Sequence, residues 1–171
     1  MPSEPEWEKA ARGGLEIIQP DSQHVRPRPA TSGLPALDVS KDQLLPNEQP
    51  QRRYPWGPDP DPNRANYKDT GIGTTSAVGI FPGGASPYSC EEMSGNVWEW
   101  TRSLWTIPIP SAPRNAWNGR PWTRPATKGR VLRGGGFLSN PGTVRCASRH
   151  LSDPDLHGRY FGFRVVVRPL L

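Results

Sequence analysis

A chain of 171 residues is long enough for one domain with its own core. With only 33% hydrophobic residues and a mean hydropathy of -0.70, that core must be small and rich in aromatic rings. The 22 prolines and 18 glycines exclude a bundle of long helices, and the apolar runs are too short to cross a bilayer. The net charge is +5 and the pI about 9.6, but the basic residues are scattered singly, with Arg52-Arg53 the one adjacent pair. Nucleic acid is therefore not the expected partner. Met1 leads straight into charged residues without an apolar h-region, which predicts a cytoplasmic protein, or a surface-displayed one if an upstream leader is missing.

Ser3-Glu4-Pro5-Glu6 predicts a helix start, with Ser3 as cap, Glu6 reaching back to it and Pro5 tolerated in the first turn. Trp7, Ala10 and Ala11 then share one face, and Gly13-Gly14 stops the helix. From Gln19 to Ala65 there are ten prolines and few apolar residues, so an excursion without regular structure is expected. Tyr54-Pro55-Trp56-Gly57 docks the end of that excursion on the core. Beyond Asn66, short apolar runs separated by Gly and Pro predict strands at 77–81, at 97–100, at Val131-Leu132 and at 162–167. Alternation along 97–100 puts Trp98 and Trp100 on one face. Cys90 and Cys146 form no CxxC pair; they read as two buried thiols, with a single disulfide as the alternative. His24, His150 and His157 are without a carboxylate that completes a facial triad and read as exposed loop residues.

Three segments in order carry a specific pattern: Gly95-Asn96-Val97-Trp98-Glu99-Trp100-Thr101, then Arg130-Val131-Leu132-Arg133-Gly134-Gly135, then Arg145-Cys146-Ala147-Ser148-Arg149 closed by Gly162-Phe163-Arg164. With the opening Pro2-Ser3-Glu4-Pro5-Glu6-Trp7-Glu8, this resembles the formylglycine-generating-enzyme (sulfatase-modifying-factor) family. The resemblance implies an α+β, C-type-lectin-like fold, loop-rich with short strands and few helices. It makes residues 1–171 a single such domain that lacks the family's N-terminal half and carries the Pro-rich excursion at 19–65. An incomplete domain leaves apolar surface around Trp7 and the Trp98/Trp100 strand through which the chain can associate with a partner.

The resemblance breaks at the chemistry. Family enzymes bind copper through two cysteines shortly after the Gly-Gly pair. Here Ser139 stands where the first would fall, and the shorter stretch that follows holds no second one. A hydroxyl is a poor ligand for Cu(I), so copper is not expected, and no catalytic residue is assigned. The metal-dependent oxidoreductases of the family, and its accessory or regulatory domains, stay as alternatives. The frame of Arg-Gly-Gly, Arg-Cys-Ala-x-Arg and Gly-Phe-Arg is similar to that of the variable proteins of diversity-generating retroelements, which use this fold as a scaffold for ligand-binding loops.

That resemblance places a ligand site on two loops. The first holds Phe137, Leu138, Ser139, Asn140 and Thr143. The second holds His150, Leu151, Ser152, Asp153, Asp155, Leu156, His157 and Tyr160, with Trp105 at the rim. Rings such as Phe137, Tyr160 and Trp105 are residue types that anchor interfaces, and a protein ligand is expected over a sugar. The alternative has Phe137 facing the core. The resemblance also implies structural calcium, held by the Glu92 and Glu99 carboxylates with the Gly95 and Val97 carbonyls. Asn66, the Tyr67 carbonyl, Asp69 and Ile72 make a second set. Against this stands the reading that Glu92 and Glu99 pair with arginines.

Overall fold

The computed structural model describes residues 1–19, 43–105 and 129–167. Its regular elements are helix α1 (Glu4–Arg12) and strands β1 (Glu16–Gln19), β2 (Gln43–Pro46), β3 (Trp98–Leu104), β4 (Arg130–Arg133), β5 (Arg149–Ser152) and β6 (Phe161–Phe163). Two short 3-10 turns lie between β2 and β3. This is the loop-rich α+β architecture that the sequence predicts.

Helix α1 starts as a capping box. The Glu6 N–H donates to Ser3 Oγ at 3.4 Å, and the Ser3 N–H donates back to the Glu6 carboxylate at 2.8 Å. Gly13 ends it at φ 79°, its N–H donating to the Lys9 carbonyl. Trp7 and Ala11 are fully buried and meet Met93 and Cys146 in one core cluster, with Ala10 and Cys90 packed against it. A second cluster joins Tyr54, Ala65, Tyr67 and Val144, with Trp56 at its margin.

The four-stranded sheet has the order β5-β4-β3-β6, antiparallel except for β6, which runs parallel to β3. Its register aligns Glu99 with Arg133 and Arg149, and Trp100 with Leu132, His150 and Phe163. Strand alternation then gives the sheet two unlike faces. One is ionic and covered by α1. Arg133 is fully buried there, 2.6 Å from Glu8 and 3.3 Å from Glu4, and donates to the carbonyls of Cys146, Ala147 and Ser148. The Arg149 guanidinium binds the Glu4 carboxylate through two nitrogens. A buried guanidinium is tolerable only when paired, and both terminal nitrogens of Arg133 are engaged while its Nε has no hydrogen-bond partner among the described residues, so these contacts lock α1 to the sheet. The opposite face carries Trp98, Trp100, Leu132, His150, Phe161 and Phe163, confirming that the two indoles share a side.

Four sequence expectations need correction. The Pro-rich stretch is not devoid of regular structure, because β2 pairs antiparallel with β1, Ile17 opposite Leu45. Residues 77–81 form no strand: Gly79 sits at φ 88°, which turns the backbone, and Val78 and Ile80 are exposed. Residues 162–167 pair only as far as Phe163, since the ladder to β3 ends at Trp100. The strand expected at Val131-Leu132 does form, and it stops at Arg133 because Gly134 and Gly135 take φ 89° and 75°, and a Cβ on Gly135 would come within 2.7 Å of Val144. Strand β5 occupies a stretch read as loop, after a turn that brings the Cys146 and Ala147 carbonyls to Arg133.

Candidate ligand-binding site

The second segment singled out for ligand contact leaves β5 at the end of the sheet where Ser152 pairs with Arg130, and meets the first only where Arg159 and Tyr160 come back beside Phe137 and Gly136. A tight turn begins the first: Gly136 N–H donates to Ser139 Oγ at 2.9 Å, and Ser139 N–H donates to the Gly136 carbonyl. Ser139 is thus a turn-former, its carbonyl taken by the Lys68 N–H. Asn140 Oδ1 accepts from both the N–H and the hydroxyl of Thr143, closing an Asx-type turn. Tyr54 Oη donates to the Pro141 carbonyl at 3.0 Å and anchors the loop to the second core cluster.

The second segment leaves β5 through a turn in which the Leu156 N–H donates to the Asp153 carbonyl and the Asp155 N–H to Asp153 Oδ1. It returns over the first segment. The Arg159 guanidinium lies 5.8 Å from the Phe137 ring centroid, and Tyr160 packs beside Gly136, where an added Cβ would be 3.6 Å from the Tyr160 Cβ. The His150 ring stacks on Trp98 at 5.2 Å, and Tyr160 meets Phe161 edge-on at 4.7 Å. Leu138, Asn140, Leu151, Leu156, His157 and Tyr160 are exposed, with Leu151 on the opposite side of the sheet from His150, against Gly129. Trp98 was not among the predicted contacts; the period-two pattern that pairs it with Trp100 is the signal that places it on this face.

Three predicted ligand residues sit elsewhere. Phe137 is 1% exposed and belongs to the interior beneath Arg159, which is the core-facing alternative. Ser152 is buried opposite Arg130 in the β4–β5 ladder. Trp105 is half-buried under the Arg149 guanidinium, 4.5 Å from its ring centroid, and keeps company with the ionic side of the sheet. His24 lies outside the described residues. His150 and His157 are exposed as expected, with His150 on a strand. Both cysteines are free thiols, and burial pushes the Cys146 thiol up to about 12.

In the first calcium set the Glu99 carboxylate is engaged by protein donors. Glu99 is buried and both its oxygens have partners: Arg164 Nη2 and Nε at 2.5 Å each, and Trp7 Nε1 at 2.6 Å. Arg164 also donates to the carbonyls of Glu91 and Glu92. Burial works against the Arg164 charge, but the hydrogen bonds and charge of Glu99 outweigh it and raise its pKa. The guanidinium therefore occupies the electrostatic role that a cation would play, and the arginine-paired reading holds for Glu99. Glu92 is a half-buried carboxyl whose pKa burial raises, at φ 58°; one of its oxygens is without a hydrogen-bond partner. Gly95 N–H donates to the Gly134 carbonyl, and Gly95 approaches Asn66 so closely that a Cβ there would lie 2.3 Å from the Asn66 carbonyl oxygen. In the second set Asn66 is fully buried with Oδ1 unpartnered, and Tyr67 is buried, but Asp69 and Ile72 are exposed.

Comparison with known proteins gives this geometry its context. The model of the sulfatase-modifying factor enzyme 1-like domain matches residues 1–169. The chain is 34% identical to the hercynine oxygenase of Mycolicibacterium smegmatis, over 67% of this chain and 28% of that protein. It is 28% identical to the formylglycine-generating enzyme of Thermomonospora curvata, over 99% of this chain and 50% of that one. The chain thus spans half or less of these relatives. Among solved structures, PvdO from Pseudomonas aeruginosa superposes with TM-score 0.59 at 24% identity, covering 95% of this chain and 50% of that chain. Treponema denticola variable protein 1 superposes at TM-score 0.54, also at 24% identity, over 95% and 45%. These likenesses share the fold.

Proposed function

The chain belongs to the sulfatase-modifying factor enzyme 1-like domain family, and we propose that within it this protein is a non-catalytic ligand-binding module, a variable protein of the diversity-generating-retroelement kind. One observation carries the reading: the second irregular segment comes back onto the first, Tyr160 beside Gly136 and Arg159 over Phe137, next to the Trp98–His150 ring pair of the sheet, with exposed residues on both segments. Loops held by a rigid scaffold are where binding residues concentrate. The fold shared with Treponema denticola variable protein 1 supports the same reading. The ligand is a protein, met by Leu138, Leu156 and Tyr160 as apolar and aromatic anchors, with Asn140, His150, Asp153, Asp155 and His157 supplying polar selectivity.

Replacing Leu138, His150, Leu156, His157 and Tyr160 together, with the turn-forming Ser139 and Asn140 kept, tests it. The circular dichroism and melting of the fold survive, and binding to partners recovered by pull-down is lost or retargeted. Unchanged binding places the site elsewhere. A second reading, a metal-dependent oxidoreductase, is favoured by identity to the hercynine oxygenase and the formylglycine-generating enzyme. Against it, Ser139 stands where the resemblance puts a copper cysteine, and its hydroxyl is engaged in the turn. Mass spectrometry of a cysteine-containing sulfatase peptide, incubated with the protein, copper and oxygen, separates the two. Conversion of the cysteine supports the enzyme, and an unmodified peptide supports the binding module.

A further inference from the structure

We infer that the first loop of the site, residues 136–143, takes an acidic segment of a protein partner through a ring of cations set around it. The inference rests on the reading of these loops as the ligand site and names the chemistry of what they hold. Four basic residues reach the loop at separate points. The Arg145 Nε donates to the Gly142 carbonyl at 2.7 Å, and the Lys68 N–H donates to the Ser139 carbonyl at 3.0 Å. The Arg159 guanidinium lies over Phe137, and that of Arg53 is 5.9 Å from the ring centroid of Tyr54, whose hydroxyl donates to the Pro141 carbonyl. All four residues are exposed, and none makes an ion pair among the described residues. Elsewhere the fold pairs its arginines: Arg12, Arg64, Arg102, Arg133, Arg149 and Arg164 each meet a carboxylate. The loop itself has no charged residue from Gly136 to Thr143. Two unpaired carboxylates lie near the ring, Asp69 next to Lys68 in the chain and Asp59, whose charge reaches Tyr54 together with those of Arg53 and Arg145, so the cations outnumber them. Asp61 is already paired with Arg64, and Asp153 and Asp155 belong to the turn at Leu156, earlier in the second segment.

The occupant follows from charge and shape. Exposed charges of one sign raise the local potential, and the +5 of the whole chain adds to it, so an anionic partner is steered to this loop. Guanidinium groups bind carboxylates in two-pronged pairs, which are the partners that the fold withholds from Arg53, Arg145 and Arg159. The anion is a protein segment rather than a nucleic acid because the ring offers no face for a base: Tyr54 and Phe137 are each 1% exposed beneath their guanidinium groups. What stands out among the cations is Leu138, 55% exposed, which meets an apolar residue spaced between the partner's carboxylates.

Fluorescence anisotropy of the full chain with a labelled glutamate-rich peptide carrying spaced leucines tests this. The same peptide with glutamine for glutamate and a single-stranded oligonucleotide of equal charge are the comparisons. The glutamate peptide is expected to bind and the glutamine peptide not, with affinity falling about tenfold between about 50 and about 500 mM salt. R145E and K68E each weaken binding by about tenfold. K9E makes the same change in net charge on a residue of α1 that is also exposed and without an ion pair among the described residues, and it leaves binding intact. Circular dichroism melts show that the variants fold, and K68E decides if R145E does not. The two readings fail separately. Partners recovered by pull-down that are lost on the five-residue loop replacement, yet are indifferent to R145E and to salt, keep the loop site and overturn the acidic ligand. Glutamate-peptide binding that R145E weakens and K9E spares supports the acidic ligand, whatever the five-residue replacement does to those partners. No binding of the glutamate peptide, equal weakening by R145E and K9E, or tighter binding of the oligonucleotide each overturns the inference.

Discussion

At the scale of single residues, Glu99 and Arg133 show how a chain poor in aliphatic residues holds together. Each has a buried charge that several partners satisfy at once, so removing one partner leaves the rest uncompensated. Glu99→Gln is expected to destabilise the fold by about 3–5 kcal/mol in urea unfolding, the cost of breaking a buried pair. Because Arg164 already fills the position of a cation at Glu99, chelation leaves the melting temperature unchanged, and added calcium does not raise it. A rise of several degrees with calcium would show that Arg164 yields to the ion. The two thiols also separate here. Cys146 is buried with its pKa pushed up to about 12, so almost none is thiolate at neutral pH. Alkylation of the native protein followed by peptide mapping therefore labels Cys90, and labels Cys146 only after unfolding.

At the scale of elements, local signals work where the chain makes its own contacts. The capping box of α1 is formed by four neighbouring residues, and Ser3→Ala is expected to cost about 1 kcal/mol in denaturant unfolding. Gly95→Ala should cost more, because it adds a clash with the Asn66 carbonyl to an unfavourable φ of 80°. Strand ends depend instead on distant residues. Strand β6 is only three residues long because its ladder with β3 stops at Trp100, next to the irregularity in β3 between Trp100 and Leu104, although its sequence has the β-branched character of a longer strand. Strand β5 forms in a stretch without strand character because β4 presents a complete antiparallel edge to it.

At the scale of the whole molecule, a sharp, cooperative melt at one temperature across a range of protein concentrations would count against the expectation that the domain leaves apolar surface uncovered. The relatives that match this chain are about twice its length or more, and the solved structures on which it superposes carry as much chain again. The sheet face of Trp98, Trp100 and Phe163 is where such additional chain has apolar surface to cover.

Composition, capping pattern and the spaced Trp, Arg-Gly-Gly and Gly-Phe-Arg segments were enough to read the family, the α+β class, helix α1 and the shared side of the two indoles. Each of these depends on residues close together in the chain or on a motif kept in order. The ligand segments were legible as regions for the same reason. Their individual members were not: Phe137 looks like an exposed anchor until Arg159 is seen lying over it, and Trp105 until Arg149 covers it. The partner of Glu99 was open between a cation and an arginine until the fold brought Arg164 to it from 65 positions away. Such choices rest on burial and on pairing between distant residues, and desolvation makes an unpaired buried charge so costly that whichever partner the fold delivers decides the role.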